Sequence, residues 1–289
     1  MKEVYTLADL AAWTGPPEAI RLGVLGDPVA HSLSPPMQNA ALAAAGLAPR
    51  YAKFQIAPNE LATALARCAA LGFIGVNLTV PHKVAGCSLV DECDAFAREV
   101  GAINTIRFVD GRMQAVNTDG PGFARAIQES FGRELGDLRV LLLGAGGGAG
   151  QALAAQCARA GCPALALVNR NFLKAQTLAQ RMARPEISAV RWSDDSLGEA
   201  LAESDLVVNA TPLGLHPGDP SPLPPKLRGG HHLVYDLNYQ PTAFLREAQS
   251  AGLRTASGRT MLLHQGALAF EFWFDRAAPL AAMRAALKL

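Results

Sequence analysis

The chain has 289 residues and a mass of 30.4 kDa; half of it is apolar, 18% is charged, and the formal net charge is +1. So much apolar content at so little net charge excludes an intrinsically disordered chain, and without a basic excess bulk charge cannot hold a nucleic acid. The length suits two domains of ordinary size, and 27 glycines and 19 prolines without a fixed period exclude a collagen-like repeat.

In chain order, the first twenty residues carry Lys2, Glu3, Asp9 and Glu18 and no long apolar core, unlike a signal peptide. Apolar runs that read as buried strands follow at 22–25, 50–55, 75–80 and 103–108. A turn-rich stretch, Asn117-Thr118-Asp119-Gly120-Pro121, marks a boundary, and four more runs lie at 139–143, 164–168, 206–209 and 233–237. Between them come helix-period segments at 34–45, 60–71, 149–160 and 172–183. This alternation predicts an α/β protein with largely parallel sheets. The uncharged stretch 140–158 approaches membrane length, but its glycines and glutamines suit a strand, turn and helix better than a spanning segment.

A Pro/Gly-rich stretch at 212–230 reads as a long loop of the functional kind. The end of the chain, 261–289, is helical by period, and Phe270, Phe272, Trp273 and Phe274 require a surface to pack on, expected on the first domain. Cys68, Cys87, Cys93, Cys157 and Cys162 are odd in number and contain no C-x-x-C pair, so they read as buried thiols of a reducing compartment. The six histidines show no ligand spacing, His31 and His82 read as structural, and no metal is expected. A cytoplasmic, globular protein without nucleic-acid or membrane partners is the expectation.

After the run Arg139-Val-Leu-Leu-Leu143 comes Gly144-Ala145-Gly146-Gly147-Gly148-Ala149-Gly150, then a helical pattern. This is G-x-G-x-x-A between a strand and a helix, the context of a dinucleotide-binding turn. Gly144 allows the tight turn, Gly146 the backbone approach to a pyrophosphate, and Ala149 the close helix–strand packing. The helix N-terminus then offers N–H groups to phosphate. The next strand ends Val168-Asn169-Arg170-Asn171, where an NAD site would carry an acidic residue for the ribose 2′-hydroxyl. An arginine there suits a 2′-phosphate, so NADP(H) is predicted over NAD(H). The alternative is a solvated loop arginine.

Three segments of the first half are unusually polar for strand ends. They are Gly26-Asp-Pro-Val-Ala-His31-Ser32-Leu-Ser34-Pro35, Gly75-Val-Asn77-Leu-Thr79-Val-Pro81-His-Lys83, and Gly101-Ala-Ile-Asn104-Thr with Asn117-Thr-Asp119-Gly120 beyond it. By themselves, Ser32 and Ser34 before Pro35 read as helix-capping residues. Lys83 reads equally as an exposed lysine, and Asp119 as a cap before Pro121.

Together with the glycine turn and the ending Gln265-Gly-Ala-Leu-Ala-Phe-Glu-Phe-Trp273, these segments, in this order, resemble the shikimate dehydrogenase family over almost the whole chain. The resemblance implies a substrate-binding domain at 1–118 with 259–289 and a Rossmann-type NADP-binding domain at 119–258. It implies reversible reduction of 3-dehydroshikimate to shikimate on the path to aromatic amino acids, in a cleft that closes to exclude water.

The matching lysine and aspartate make Lys83 and Asp119 the catalytic pair. The substrate residues become Ser32 and Ser34 on the carboxylate, with Asn77, Thr79, Asn104, Tyr239 and Gln265. Tyr239 and Gln265 otherwise read as a core tyrosine and a helix-surface glutamine. The cofactor residues become Gly144, Ala145, Gly146, Gly147, Gly148, Ala149, Asn169, Arg170, Asn171, Thr211, Leu237 and Met261.

The chain departs from the family at Ser257-Gly258-Arg259-Thr260, before Met261. It departs again at Asn171, where a threonine or serine is common, and in a longer segment before Arg21. Use of quinate or NAD, and a protein that binds without turnover, are the rival readings. A homodimer is compatible with the sequence, which does not fix the oligomeric state.

Overall fold

The computed structural model describes residues 2–13, 20–216, 218–223 and 232–289, and the chain divides into two compact units. Unit 1 is Met1–Thr118 with Leu263–Leu289; unit 2 is Asp119–Leu262. No helix among the described residues is long and apolar enough to cross a membrane.

Unit 1 is built on β1 (Tyr5–Thr6), β2 (Ile20–Gly26), β3 (Arg50–Gln55), β4 (Gly75–Leu78), β5 (Glu92–Cys93), β6 (Thr105–Val109) and β7 (Arg112–Val116). Their order in the sheet is β1-β3-β2-β4-β6-β7-β5. Neighbours are parallel except where β6 meets β4 and β7. The β6–β7 pair has a local cause: Asp110 and Gly111 both take positive φ (50° and 75°), the two-residue turn that closes a hairpin.

The helix Leu61–Ala70 buries Leu61, Ala64, Leu65 and Cys68, the i, i+3, i+4, i+7 stripe of a helix laid on a sheet. The helix Ser34–Ala44 starts on Pro35 and Pro36, whose missing N–H groups cost nothing in a first turn. The C-terminal stretch forms two helices, Arg259–Phe274 and Leu280–Leu287, not the single segment its period suggested. Asp275 in the left-handed region (φ 50°) and Pro279 break it. Within unit 1, Trp273 lies against Gly75, where a Cβ would fall 2.2 Å from its Nε1, and that N–H donates to the Ile106 carbonyl at 2.9 Å. Leu280–Leu287 packs against Ser34–Ala44.

Unit 2 carries β8 (Arg139–Leu143), β9 (Ala164–Val168), β10 (Ile187–Val190), β11 (Leu206–Asn209), β12 (Leu233–Asp236) and β13 (Arg254–Ser257). All are parallel, in the order β10-β9-β8-β11-β12-β13. Counted from β8 this is 3-2-1-4-5-6, the doubly wound order of dinucleotide-binding domains. Alternate residues of β8 feed opposite faces: Leu141 and Leu143 meet Leu197, Val207 and Phe244, while Val140 and Leu142 meet Phe123, Leu153 and Val208. A sheet covered on both faces explains why its central strands read as unbroken apolar runs.

Five strands escape the sequence reading of four on each side. β1, β5, β10 and β13 are sheet edges, where one flank is solvated and no apolar run is required, and β7 is the polar arm of the hairpin. The thiols need a correction as well. Cys68, Cys157 and Cys162 are buried, but Cys87 and Cys93 are half-buried; all five are free. The loop expected at 212–230 is described as far as Leu223, which is buried against Val207 and Val234; positions 217 and 224–231, and 14–19 of the N-terminal segment, lie outside the described residues.

Candidate active site

In unit 2 the strand order reverses between β8 and β11, and ligands of such sheets bind outside the carboxyl ends of the strands at that point. The turn leaving β8 is tight. Gly144 takes φ 91°, and a Cβ there would fall 2.6 Å from the Ala210 carbonyl. The N–H groups of Gly144 and Ala145 both donate to the Val168 carbonyl, at 2.8 and 3.1 Å, so these residues shape the turn rather than face a phosphate. Gly146 packs on Lys174, whose Cβ would lie 2.9 Å from a Cβ at that position.

Gly147 opens outward: a Cβ there would meet nothing nearer than the Gly144 oxygen at 3.9 Å. The helix Gly148–Ala160 starts directly after it, and its first N–H groups have no partner inside the helix. An exposed glycine at a helix N-terminus, with nothing above it, fits a pyrophosphate. The close-packing position is Gly150, not Ala149: Gly150 is buried and its Cβ would sit 2.3 Å from the Gly144 oxygen, whereas Ala149 is half-buried.

At the end of β9, Asn169 braces the turn. Its Oδ1 accepts from the Gly146 N–H at 3.4 Å and its Nδ2 donates to the Asn171 carbonyl at 3.0 Å. Asn171 in turn caps the helix Phe172–Met182 by accepting from the Leu173 N–H at 3.2 Å. Arg170 is exposed between them, and Lys174, in the first turn of that helix, supplies a second exposed cation on the same short segment. The sequence reading missed Lys174, although a cation four residues after Arg170 was there to find once the helix start at 172 is known.

Beyond β11 and β12, Thr211 donates through both N–H and Oγ1 to Asn209 Oδ1, at 3.0 and 2.7 Å. The Leu237 N–H donates to the Asn209 carbonyl at 2.9 Å. Met261 is buried, and its N–H donates to the Tyr235 hydroxyl at 3.1 Å. Tyr239 is half-buried; burial first, and then the negative charge of Asp119, push its phenol up to about 12. Asp119 itself, buried, opens the helix Asp119–Phe131. The substrate and cofactor candidates Tyr239 and Thr211 thus share unit 2 with Asp119.

In unit 1 the sheet gathers the other candidates at one end. Register pairs Val24 with Asn77, Asn77 with Thr105, and Thr105 with Val116, so the ends of β2, β4 and β7 and the start of β6 meet. Asn77 accepts from the Tyr51 hydroxyl at 2.7 Å and donates to the Asn104 carbonyl and Thr105 Oγ1, at 3.1 and 2.9 Å. Asn104 Oδ1 accepts from the Thr118 N–H at 2.8 Å, and its Nδ2 reaches Thr118 Oγ1 and Gln265 Oε1, at 2.9 and 3.3 Å. One buried polar cluster therefore joins residues 77, 104, 118 and 265. Gln265 is held there because Gln38 Nε2 donates to the neighbouring Gly266 carbonyl at 2.9 Å.

Neither serine is the cap of the helix Ser34–Ala44, whose N-cap is Leu33 without a side-chain bond; Ser32 Oγ accepts from the Ser34 N–H at 3.3 Å just ahead of it. The hydroxyls of Ser34 and Thr79 make no side-chain bond among the described residues. Lys83 is half-buried in the short helix His82–Ala85, and its carbonyl accepts from the Ile103 N–H at 2.9 Å, tying the segment after β4 to the one before β6. No cluster of three or more His, Cys, Asp or Glu side chains suited to a metal occurs among the described residues.

Fold and site together define a two-unit α/β protein of the dinucleotide-dependent kind, with a Rossmann-type module interrupting a second α/β unit. Family models match residues 24–106 as a shikimate dehydrogenase substrate binding domain, 125–214 as shikimate / quinate 5-dehydrogenase, and 258–288 as a shikimate 5′-dehydrogenase C-terminal domain. A relative, shikimate dehydrogenase (NADP(+)) of Symbiobacterium thermophilum, is 45% identical over 273 residues, 92% of either chain. The solved structure of shikimate 5-dehydrogenase from Thermus thermophilus in complex with NADP(H) and shikimate has a TM-score of 0.84 at 38% identity, covering 93% of this chain and 98% of that one. Quinate dehydrogenase from Corynebacterium glutamicum in complex with NAD has a TM-score of 0.83 at 30% identity, covering 94% and 99%. The chain belongs to the shikimate dehydrogenase family.

Proposed function

We infer that this chain catalyses the NADP-dependent, reversible reduction of 3-dehydroshikimate to shikimate. The observation that carries the reading is end-to-end similarity to a relative of that name, at 45% identity over 92% of both chains. The open face at Gly147 and the exposed Arg170 and Lys174 are what a dinucleotide with a 2′-phosphate requires.

NADP(H), when bound, supplies or accepts the hydride. The residues of the chain do the rest. Negative charge builds on the ring carbonyl oxygen as reduction proceeds, and the Lys83 ammonium, placed against that oxygen, stabilises it and gives up an Nζ proton to form the alcohol. In the reverse direction Lys83 takes that proton back. Asp119 accepts from a neighbouring substrate hydroxyl and fixes the ring. Ser32 and Ser34, at a helix N-terminus, hold the carboxylate. Thr79, Tyr239 and Gln265 meet the hydroxyl face. Asn77 and Asn104, with their amides already bonded within unit 1, set the shape of that face.

The test is NADP⁺ reduction at 340 nm with shikimate, with quinate and NAD⁺ run alongside, on wild type and Lys83→Ala. Turnover with shikimate and NADP⁺ is expected to fall at least about a hundredfold in the variant, about 3 kcal/mol of transition-state stabilisation. Turnover mainly with quinate or NAD⁺ would move the specificity and keep the mechanism. Shikimate binding without turnover by any pair would make this a binding protein.

A further inference from the structure

Beneath the loops that follow β11 and β12 lies a buried carboxylate for which the chemistry above has no use. Asp236, the last residue of β12, is fully buried and stands in register with Asn209, the last residue of β11. Four donors converge on it. Its Oδ1 accepts from Asn209 Nδ2 at 3.1 Å and from the N–H and Nδ2 of Asn238, at 3.0 and 2.9 Å; its Oδ2 accepts from Thr242 Oγ1 at 2.6 Å.

The same side chains run on into both loops. Asn209 and Asn238 each donate from Nδ2 to the Leu213 carbonyl, at 3.1 and 3.0 Å, and Asn209 Oδ1 holds Thr211. Gly214, at φ 104°, lies so close that a Cβ would fall 2.5 Å from Thr242 Cγ2. The Asn238 carbonyl accepts from the Gly258 N–H at 3.0 Å, and the Tyr239 carbonyl from Arg259 Nε at 3.0 Å. One carboxylate thus ties together residues 209–214, 237–242 and, through them, 258–259.

The two halves of a doubly wound sheet each receive one half of a dinucleotide. Gly147, Arg170 and Lys174 stand on the β8–β9 side, so the adenosine 2′-phosphate belongs there and the nicotinamide end lies over β11 and β12. We propose that Asp236 is the positioning residue for the nicotinamide end of the cofactor, fixing the loops that carry Thr211, Leu237 and Tyr239 without touching the reacting atoms. This rests on the NADP reading above. The network lies wholly in the β11–β12 half, which predicts that its loss spares the adenosine end.

The experiment compares Asp236→Ala and Asp236→Asn, measuring kcat, the KM for NADP⁺, and the Kd for adenosine 2′,5′-bisphosphate, which carries the adenosine end alone. Asp236→Ala removes the shared acceptor of four donors, leaving Asn209 Nδ2 and Asn238 Nδ2 only their bonds to the Leu213 carbonyl. It is expected to lower kcat and raise the KM for NADP⁺ by about tenfold or more each, because misplacement by about an ångström can cost on the order of a hundredfold in rate. Its Kd for the bisphosphate should stay within about twofold of wild type. Asp236→Asn should restore kcat to within about threefold, since its amide oxygen keeps the three Oδ1 bonds and its amide nitrogen can donate to the Thr242 hydroxyl.

If Asp236→Ala does not fold, Thr242→Val removes the shortest of the four bonds and should show the same split at smaller size. Three results would overturn the assignment: unchanged kinetics in a folded Ala variant, equal weakening of both ligands, or an Asn variant as impaired as the Ala one. A wild-type protein that fails to bind the bisphosphate would overturn the NADP reading and this proposal with it, a result separate from any variant's behaviour.

Discussion

Arg170 stands exposed at the end of β9 between two asparagines that are already engaged, Asn169 with the glycine turn and Asn171 with the following helix. Replacing it therefore removes a charge and little packing. Arg170→Ala should weaken NADP⁺ binding by about 10- to 100-fold, the loss of one charge-assisted contact of roughly 1.5–3 kcal/mol, and leave NAD⁺ binding within about twofold. Titration of both cofactors by protein fluorescence checks this, and an unchanged preference would transfer the choice to Lys174. Arg170 was legible in the sequence because strand, glycine turn and next strand end occur at fixed spacing. The partners of Asn77 and Asn104 were not, because Tyr51, Thr105, Thr118 and Gln265 are scattered along the chain and meet only through sheet register and the packing of the helix Arg259–Phe274.

The glycine turn and the helix after it form one packed element. Gly150→Ala would drive a methyl to 2.3 Å from the Gly144 oxygen, a backbone atom that cannot swing aside. It should cost about 1–3 kcal/mol as overpacking, lowering the Tm by several degrees and weakening cofactor binding together with it. Gly147→Ala meets nothing closer than 3.9 Å and has φ −90°, which alanine adopts freely. Its stability cost should not exceed about 1 kcal/mol, the loss of a tolerable N-cap residue, so a binding defect there reports on the open face alone. Calorimetry with and without NADP⁺ separates the two; a Gly150→Ala protein as stable as wild type would show that the turn can relax. The G-x-G-x-x-A pattern located the element, but only the packing of helix on strand identifies Gly150 as the close contact.

Two carboxylates in unit 2 respond to acid in opposite directions. Arg139 makes bonds of 2.9 and 2.8 Å to the two oxygens of Asp205, and this guanidinium holds the Asp205 carboxyl down at about 2. A folded value below the unfolded one gives stability that is present above about pH 4 and is lost as pH falls towards 2. Burial pushes Asp236 the other way, so its protonation favours the folded state as pH falls. The acid limb of the whole molecule should therefore flatten in Asp205→Asn between pH 4 and pH 2.5, read from urea midpoints at several pH values. A variant limb as steep as that of wild type would remove Asp205 from the account. The pair is partly exposed, so solvent and salt screen it and the change is modest.

By itself the sequence determined the α/β class, eight of the nine interior strands, the glycine turn between strand and helix and the membership of a family, because each is written in local spacing and apolar period. It could not show the edge strands β1, β5, β10 and β13, since half-solvated strands need no apolar run. Nor could it show that 261–289 breaks at Asp275, that four distant polar residues form one cluster in unit 1, or that Asp236 gathers the loops after β11 and β12. The cluster and the Asp236 network are settled by which strands and helices come together, and the break by the backbone at Asp275. Only the tertiary structure decides that, because sheet pairing joins residues regardless of their distance along the chain.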